Sequence, residues 1–118
     1  MPSEKRVREG GIGMDKFTVL SILARFRIAL ERQGIGDARL VLFGSQAKGT
    51  AREDSDIDLI IISQAFEGKT LWERIQPTSK AICDVFEPIE AIAMTPAEWE
   101  SGESIIAEYA RDGEVIAA

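Results

Sequence analysis

The alternation of apolar and polar residues divides the chain into segments with helical and strand-like periods. Apolar residues recur every three to four positions between Asp15 and Gln33, which predicts an amphipathic helix that Asp15 caps and Gly34 ends. Short runs rich in Val, Ile, Leu and Phe predict strands at residues 39–43 and 57–62. The first half of the chain is therefore expected to form one helix and two strands.

Prolines punctuate the second half of the chain. Pro77 would break a helix interior, so residues 71–86 are expected to form two short helices, the second of which begins at Pro77. A third strand is expected at residues 89–95. The tetrapeptide TPAE, which begins at Thr95, has the Thr, Pro and Glu of a capped helix start, and it predicts a last helix that ends at Gly113.

This order of elements predicts an α+β fold, an α/β sandwich in which helices pack on one side of a small mixed β-sheet. The last apolar residues, Val115 and Ile116, are expected to form an edge strand, which offers a surface for a homodimer. A chain of 118 residues suffices for one domain, expected at residues 14–118, after a charged, Gly-rich and flexible leader at residues 1–13.

Charge and composition narrow the class of protein. The formal net charge of −6 argues against an extended nucleic-acid surface, although it permits a small phosphorylated ligand, because a metal ion reverses the local charge. No apolar run approaches the roughly 20 residues of a membrane-spanning helix. Cys83 is the only cysteine, which favours a cytoplasmic location, and its apolar neighbours favour a core position over a nucleophile.

Two aspartates open the second predicted strand. Residues alternate faces along a strand, so Asp56 and Asp58 point the same way, about 6.6 Å apart. Their repulsion is most simply offset by a divalent cation, for which carboxylate oxygens are suitable ligands. The later residues of the same face, Ile60 and Ile62, are expected to be buried.

A candidate phosphate-binding segment follows the first strand. Gly44 lets the backbone approach a ligand, and the Ser45 hydroxyl and the backbone N–H groups can bind phosphate oxygens. Lys48 and Arg52 can neutralise the same phosphates, or they are ordinary solvated charges. If Ser45 and the aspartates serve one ligand, the first two strands must be antiparallel.

A third carboxylate is expected at the start of the third strand. If that strand runs parallel to the second through a right-handed crossover, Glu90 lies next to Asp56 and Asp58. Three carboxylates around one point are the minimum for a two-metal site. The alternative for Glu90 is a surface acid at a strand end.

The order of these residues resembles the nucleotidyltransferase superfamily of DNA polymerase beta, in particular its minimal nucleotidyltransferases. The pattern G-S-x-A-x-G followed by S-D-x-D-L is matched at Gly44, Ser45, Ala47, Gly49, Ser55, Asp56, Asp58 and Leu59. The third acid is Asp in many relatives and Glu90 here, so its carboxylate lies about one bond further out. The resemblance implies a nucleotidyltransferase-like fold.

The resemblance also implies an activity and a partner. It implies transfer of a nucleotidyl group, such as AMP from ATP, to a hydroxyl acceptor with two Mg²⁺ ions, or Mn²⁺ in their place. Asp56 and Asp58 would hold the ion on the triphosphate, and Glu90 would share the second. Minimal nucleotidyltransferases are commonly paired with a helical HEPN-domain protein, in some cases as the antitoxin that adds AMP to a tyrosine of that toxin.

Two other functions fit parts of the pattern. The first is a binding module that keeps the fold but neutralises its partner by contact alone. The second is a sugar-nucleotide glycosyltransferase, whose metal site also uses D-x-D, although such enzymes generally need a longer chain and leave Gly44 and Ser45 without a role. Trp72 and Trp99 are expected either in the core or on a partner surface.

Overall fold

The computed structural model describes residues 16–44, 56–101 and 113–116. Its elements in chain order are α1 (Lys16–Arg32), β1 (Arg39–Phe43), β2 (Ile57–Ile62), a 3-10 helix (Gln64–Phe66), α2 (Leu71–Val85), β3 (Ile89–Met94), α3 (Pro96–Ser101) and β4 (Glu114–Ile116). The predicted leader, the predicted N-cap Asp15 and the predicted continuation of the last helix beyond Ser101 lie outside the described residues.

Four strands form one mixed sheet in the described part of the chain, in the spatial order β3-β2-β1-β4. Strand β1 is antiparallel to both β2 and β4, and β2 is parallel to β3. The predicted α+β class and the predicted pairing of the first three strands are confirmed. Val115 and Ile116 form an edge strand as expected, and it pairs within its own chain; pairing with a second copy stays a prediction.

Helix α1 is amphipathic and ends at a glycine. The N–H of Ile35 donates to the carbonyl oxygen of Leu30 at 2.9 Å, and the N–H of Gly34 donates to that of Glu31 at 3.0 Å, which is a Schellman motif. Gly34 has a φ of 88°, in the left-handed region that favours glycine. Its predicted role is confirmed. No helix among the described residues is long and apolar enough to cross a membrane.

The prediction of two short helices at residues 71–86 is wrong, because the single helix α2 continues through Pro77. A capping box begins α2: the Thr70 hydroxyl accepts from the N–H of Glu73 at 3.1 Å, and Glu73 Oε1 accepts from the N–H of Thr70 at 2.8 Å. After the proline, the Thr78 hydroxyl donates to the carbonyl oxygen four residues earlier at 2.8 Å. Packing against the core outweighs the one backbone hydrogen bond that Pro77 cannot donate.

The sheet has two unequal faces. The first face is covered by α1 and α2, and its larger buried side chains are Leu23, Phe26, Leu30, Leu40, Leu42, Ile57, Leu59, Ile61 and Val85. The opposite face carries a smaller buried cluster of Val41, Ile60, Ile62 and Met94. The predicted burial of Ile60 and Ile62 is confirmed. Both long helices therefore pack on one side of the sheet, and the other side carries the smaller apolar cluster beside the acidic residues at the start of β2 and β3.

The structure distinguishes the two tryptophans and corrects the prediction for the cysteine. Trp99 of α3 is half-buried and packs against the smaller cluster, so it belongs to the core. Trp72 of α2 is 65% exposed. Cys83 is exposed, so the predicted core position is wrong. The reason is helical geometry, since α2 buries Thr78, Ala81 and Val85, and position 83 falls on the opposite side of the helix.

The start of α3 confirms the capping box that TPAE predicts. The N–H of Glu98 donates to the Thr95 hydroxyl at 3.1 Å, and the N–H of Thr95 donates to Glu98 Oε1 at 2.9 Å. Arg74 of α2 donates to both carboxylate oxygens of Glu98, at 2.7 and 3.1 Å. This bidentate pair ties α2 to the end of β3.

Candidate active site

The two aspartates lie at the start of β2, on the face opposite α1 and α2. Ile57 and Leu59 point to the helix-covered face and are fully buried. Asp56 and Asp58 alternate with them and are half-buried. Alternation therefore directs both carboxylates to the same side of the sheet, the side on which Ile60 and Ile62 are buried further along the strand.

Asp58 lies against Gly44 at the end of β1. In the antiparallel register Phe43 is opposite Asp58, one residue before Gly44. Gly44 has a φ of 73°, and a Cβ atom at this position would overlap the Asp58 carboxylate. Gly44 therefore provides the space that this carboxylate occupies. From the sequence, Gly44 is predicted only to let the backbone approach phosphates. Its contact with Asp58 could have been predicted from the antiparallel pairing of the two strands.

Glu90 lies beside Asp58 on the neighbouring strand. The parallel register of β2 and β3 pairs Asp58 with Glu90, which confirms the predicted placement. A hydrogen bond with Asp56 and its negative charge, followed by the charge of Asp58, raise the pKa of Glu90. Burial, followed by the charge of Asp56, raises the pKa of Asp58. The three carboxyl groups therefore lie close enough to repel one another.

The acidic side chains have the chemistry, but not a preformed geometry, for a metal ion. Within residues 16–44, 56–101 and 113–116, no group of three or more His, Cys, Asp or Glu side chains is arranged to hold one. Carboxylate oxygens alone are a donor set that suits Mg²⁺ or Mn²⁺. Asp56, Asp58 and Glu90 therefore fit a divalent cation chemically, and their role as ligands stays a prediction.

The structure places one residue of the predicted phosphate-binding set. Gly44 ends β1 beside the carboxylates. Ser45, Lys48 and Arg52 lie outside the described residues. Their predicted contacts with phosphate stay predictions.

Residues 23–108 match the family model of the nucleotidyltransferase domain. The chain belongs to this family. The matched segment contains β1, β2 and β3 and hence Gly44, Asp56, Asp58 and Glu90. Membership of this family supports nucleotidyl transfer as the function of this chain and implies a nucleoside triphosphate as the substrate.

Two solved structures are similar to this nucleotidyltransferase domain. A protein from Sulfolobus solfataricus, assigned as a nucleotidyltransferase, has a TM-score of 0.55 at 18% identity, over 89% of this chain and 90% of its own. A second protein with the same assignment has a TM-score of 0.58 at 23% identity, over 80% of this chain and 97% of its own. At these identities the similarity shows the fold alone. No curated protein has a significant sequence match.

Proposed function

We propose that this nucleotidyltransferase transfers AMP from ATP to a hydroxyl group of a partner protein by a two-metal mechanism. The observation that supports this proposal is the register of three adjacent strands. Asp58 has Gly44 on one side, at the end of β1, and Glu90 on the other side, in β3. This order across the sheet supports a phosphate-binding role for Gly44, a metal-binding role for the aspartates and a third acidic ligand in Glu90.

Each carboxylate has a proposed role. Asp56 and Asp58 would hold the cation that neutralises the triphosphate, and Glu90 would help to hold a second. Such cations stabilise the leaving group and lower the pKa of an acceptor hydroxyl. The chain has no histidine, so Glu90 is the candidate base for the hydroxyl proton.

The remaining residues position the triphosphate. The backbone of Gly44 and the side chains of Ser45, Lys48 and Arg52 bind the β- and γ-phosphates in this proposal. The acceptor oxygen then forms a bond to the α-phosphorus while the bond to the β-phosphate oxygen breaks. Pyrophosphate leaves on the side of Gly44. Because attack is in line, the acceptor approaches from the side of Glu90.

The proposed acceptor is a tyrosine of a HEPN-domain protein, which would make this chain the antitoxin of a toxin–antitoxin pair. The support for this part is the resemblance to minimal nucleotidyltransferases in the order of Gly44, Ser45, Asp56 and Asp58.

The test is transfer of label from ATP that is radioactive at the α-phosphate, with Mg²⁺ and the protein encoded by the neighbouring gene. We expect label on that protein, and Asp56→Asn or Asp58→Asn should slow the transfer at least about a hundredfold. Asp84→Asn, which alters an exposed acid of α2, is the matched control and should transfer at the rate of the unmodified chain.

Two results would contradict the proposal in different ways. Transfer that survives both Asp56→Asn and Asp58→Asn would remove these carboxylates from the reaction. Neutralisation of the partner without any label would instead support the binding module.

A further inference from the structure

The outer side of β3 presents backbone groups to which another strand can bind. Among the described residues β3 is the edge of the sheet, and β2 is its neighbour on the inner side. The carbonyl oxygens of Pro88 and Met94 accept hydrogen bonds of 2.8 and 3.0 Å from the N–H groups at the start of β2 and just after its end. Because backbone groups alternate sides along a strand, the N–H and C=O of Ala91 point outward. The carbonyl oxygen of Ala93 also points outward, and Arg74 donates to it at 3.4 Å. The outer edge at Ala91 is therefore able to pair with an added strand.

An apolar pocket lies directly beside this edge. It has a volume of about 250 Å³ and is lined by Leu71, Ile75 and Ile82 of α2 and by Ala91 and Ala93 of β3. The two alanines pack against the main core, so they face the helix-covered side of the sheet. Their small side chains leave space between the strand and the helix. The pocket can therefore hold a large apolar side chain that comes from beyond β3.

The same edge borders the carboxylates on the other side of the sheet. Glu90 precedes Ala91, is exposed, and pairs with Asp58 in the register of β2 and β3. A strand added antiparallel to β3 would form a hydrogen-bonded pair at Ala91 and a non-hydrogen-bonded pair at Glu90, where the Cα atoms are about 4.5 Å apart. Opposite residues share a face, so consecutive side chains of the added strand would enter the pocket and meet the Glu90 carboxylate.

Charge favours a substrate segment over a second copy of this chain as the added strand. Antiparallel pairing of two β3 strands about Ala91 would place Glu90 of each copy opposite Ile92 of the other and bring two acidic clusters to one edge. The net charge of −6 on each copy adds to this repulsion. A neutral or basic segment avoids it.

We propose that β3 binds the acceptor as an added antiparallel strand. The acceptor is an extended, neutral or basic peptide segment, in which a hydroxyl residue opposite Glu90 stands next to a large apolar residue that fills the pocket. Main-chain hydrogen bonds with Ala91 fix the register of the segment, and the apolar side chain selects its sequence. The inference rests on the proposed function for the role of the hydroxyl residue as acceptor.

Binding of such a segment can be measured without transfer. The probe is the peptide KQLYLQK, blocked at both ends and titrated into the ¹⁵N-labelled full chain. We expect the outward N–H of Ala91 to become protected from hydrogen exchange, whereas the N–H of Ile92, which bonds to β2, should not change. Replacement of both leucines of the peptide with glutamine should raise the dissociation constant at least about tenfold, because the pocket loses its apolar side chain.

Two methylated peptides test the backbone pairing. In the antiparallel register the N–H of the leucine opposite Ala91 faces β3, and the N–H of the tyrosine faces away from it. Methylation of the backbone nitrogen of both leucines should therefore abolish binding. Methylation of the tyrosine nitrogen is the matched control and should leave the dissociation constant unchanged.

Two exposed positions of α2 test the pocket. Ile75 lines the pocket and is 40% exposed, so Ile75→Gln should raise the dissociation constant about three- to tenfold through the loss of apolar contact. Trp72 is 65% exposed and is not part of the lining. Trp72→Gln is the matched control and should bind the peptide as tightly as the unmodified chain does. Circular dichroism shows whether both variants keep the fold.

The outcomes separate this inference from the proposed function. Unchanged exchange of Ala91, equal binding of the two methylated peptides, or binding that is insensitive to Ile75→Gln would overturn the strand addition whatever the transfer assay shows. Protection of Ala91 in a protein that transfers no label from ATP would uphold the strand addition and reject the proposed transfer.

Discussion

The two faces of the sheet are built from the same strands but have different roles. On β2, Leu59 points to the face under α1 and α2 and is fully buried, whereas its neighbour Asp58 points to the open face and is half-buried. The first face holds the main core. The second holds a smaller apolar cluster beside the carboxylates. A core residue and a candidate active-site residue are thus neighbours in the chain, on opposite sides of the sheet.

Because the main core and the carboxylates lie on opposite faces of the sheet, a small domain can remain folded with an acidic cluster. Repelling carboxylates destabilise the folded state, and the raised pKa values of Asp58 and Glu90 reflect that repulsion. The core under α1 and α2 does not depend on those groups, so it can offset their cost. We infer that substitutions on the first face act on folding, and those on the second act on the reaction.

The largest expected effect on stability comes from Leu59→Ala. A fully buried leucine replaced by alanine leaves a cavity, so the free energy of unfolding should fall by about 2–5 kcal/mol. A large share of the total stability of a small domain is thereby lost. Urea unfolding followed by circular dichroism measures the change.

The neighbouring substitution Asp58→Asn is the control for Leu59→Ala. The pKa of Asp58 is raised above its ordinary value of 3.8, so the unmodified chain loses stability as the pH rises from 3.8 through that raised pKa. Asparagine removes this loss, and Asp58→Asn should be at least as stable as the unmodified chain at pH 7. A drop in stability as large as that of Leu59→Ala would show that the two faces are not independent.

Gly44→Ala should have an intermediate effect on stability, and it should also affect the reaction. Alanine at position 44 must keep the left-handed backbone conformation, which costs about 1–2 kcal/mol. Its methyl group also displaces the Asp58 carboxylate. Gly68 has a φ of 72°, close to the 73° of Gly44, but no atom lies within 4 Å of a Cβ built there. Gly68→Ala therefore shows the cost of strain alone.

Gly44→Ala and Gly68→Ala should be compared in thermal unfolding and in the transfer assay. Thermal unfolding should show similar strain in both variants, whereas ATP-dependent transfer should fall only in Gly44→Ala. Equal transfer by the two variants would mean that the position of Asp58 does not depend on Gly44.

The strands and their pairing could be predicted from the sequence because their physical signals are local. Strands β1 and β2 have the predicted bounds of 39–43 and 57–62, and β3 ends one residue before the predicted Thr95. Short apolar runs between polar residues mark each strand, and alternation then fixes which side chains share a face. The meeting of Asp58 with Glu90 follows from those signals and the parallel pairing.

The errors concern features that depend on tertiary packing. The continuous α2 shows that contacts with the core outweigh a lost hydrogen bond at Pro77, which a propensity rule cannot weigh. The exposure of Cys83 depends on which side of α2 meets α1, and the apolar neighbours of Cys83 in the sequence do not indicate that side. The predicted helix start at residue 71 is correct, and the capping box of Thr70 and Glu73, present in the sequence as T-x-x-E, is a further local signal for it.

The smallest expected effect concerns the two capping boxes, at the start of α2 and at the start of α3. The box of α3 has an ion pair with α2, between Glu98 and Arg74. Glu98 caps α3 and also pairs with Arg74, and this pair, followed by the hydrogen bond with the Thr95 backbone, lowers the pKa of Glu98. Glutamine keeps the cap but loses the charge. Because Glu98 is partly exposed, Glu98→Gln should cost about 0.5–1 kcal/mol at pH 7.

The cost of Glu98→Gln should depend on pH in a defined direction. A carboxyl group whose pKa is lowered by folding stabilises the protein above its ordinary pKa of 4.5, and this contribution is lost as the pH falls through the lowered value. The difference from the unmodified chain should therefore shrink in acid. Glu73→Gln, at the box of α2, is the matched control and should cost less, because in the described contacts its carboxylate bonds to the Thr70 backbone and no arginine pairs with it. Equal costs at pH 7 in urea unfolding would mean that Arg74 adds nothing to the cap.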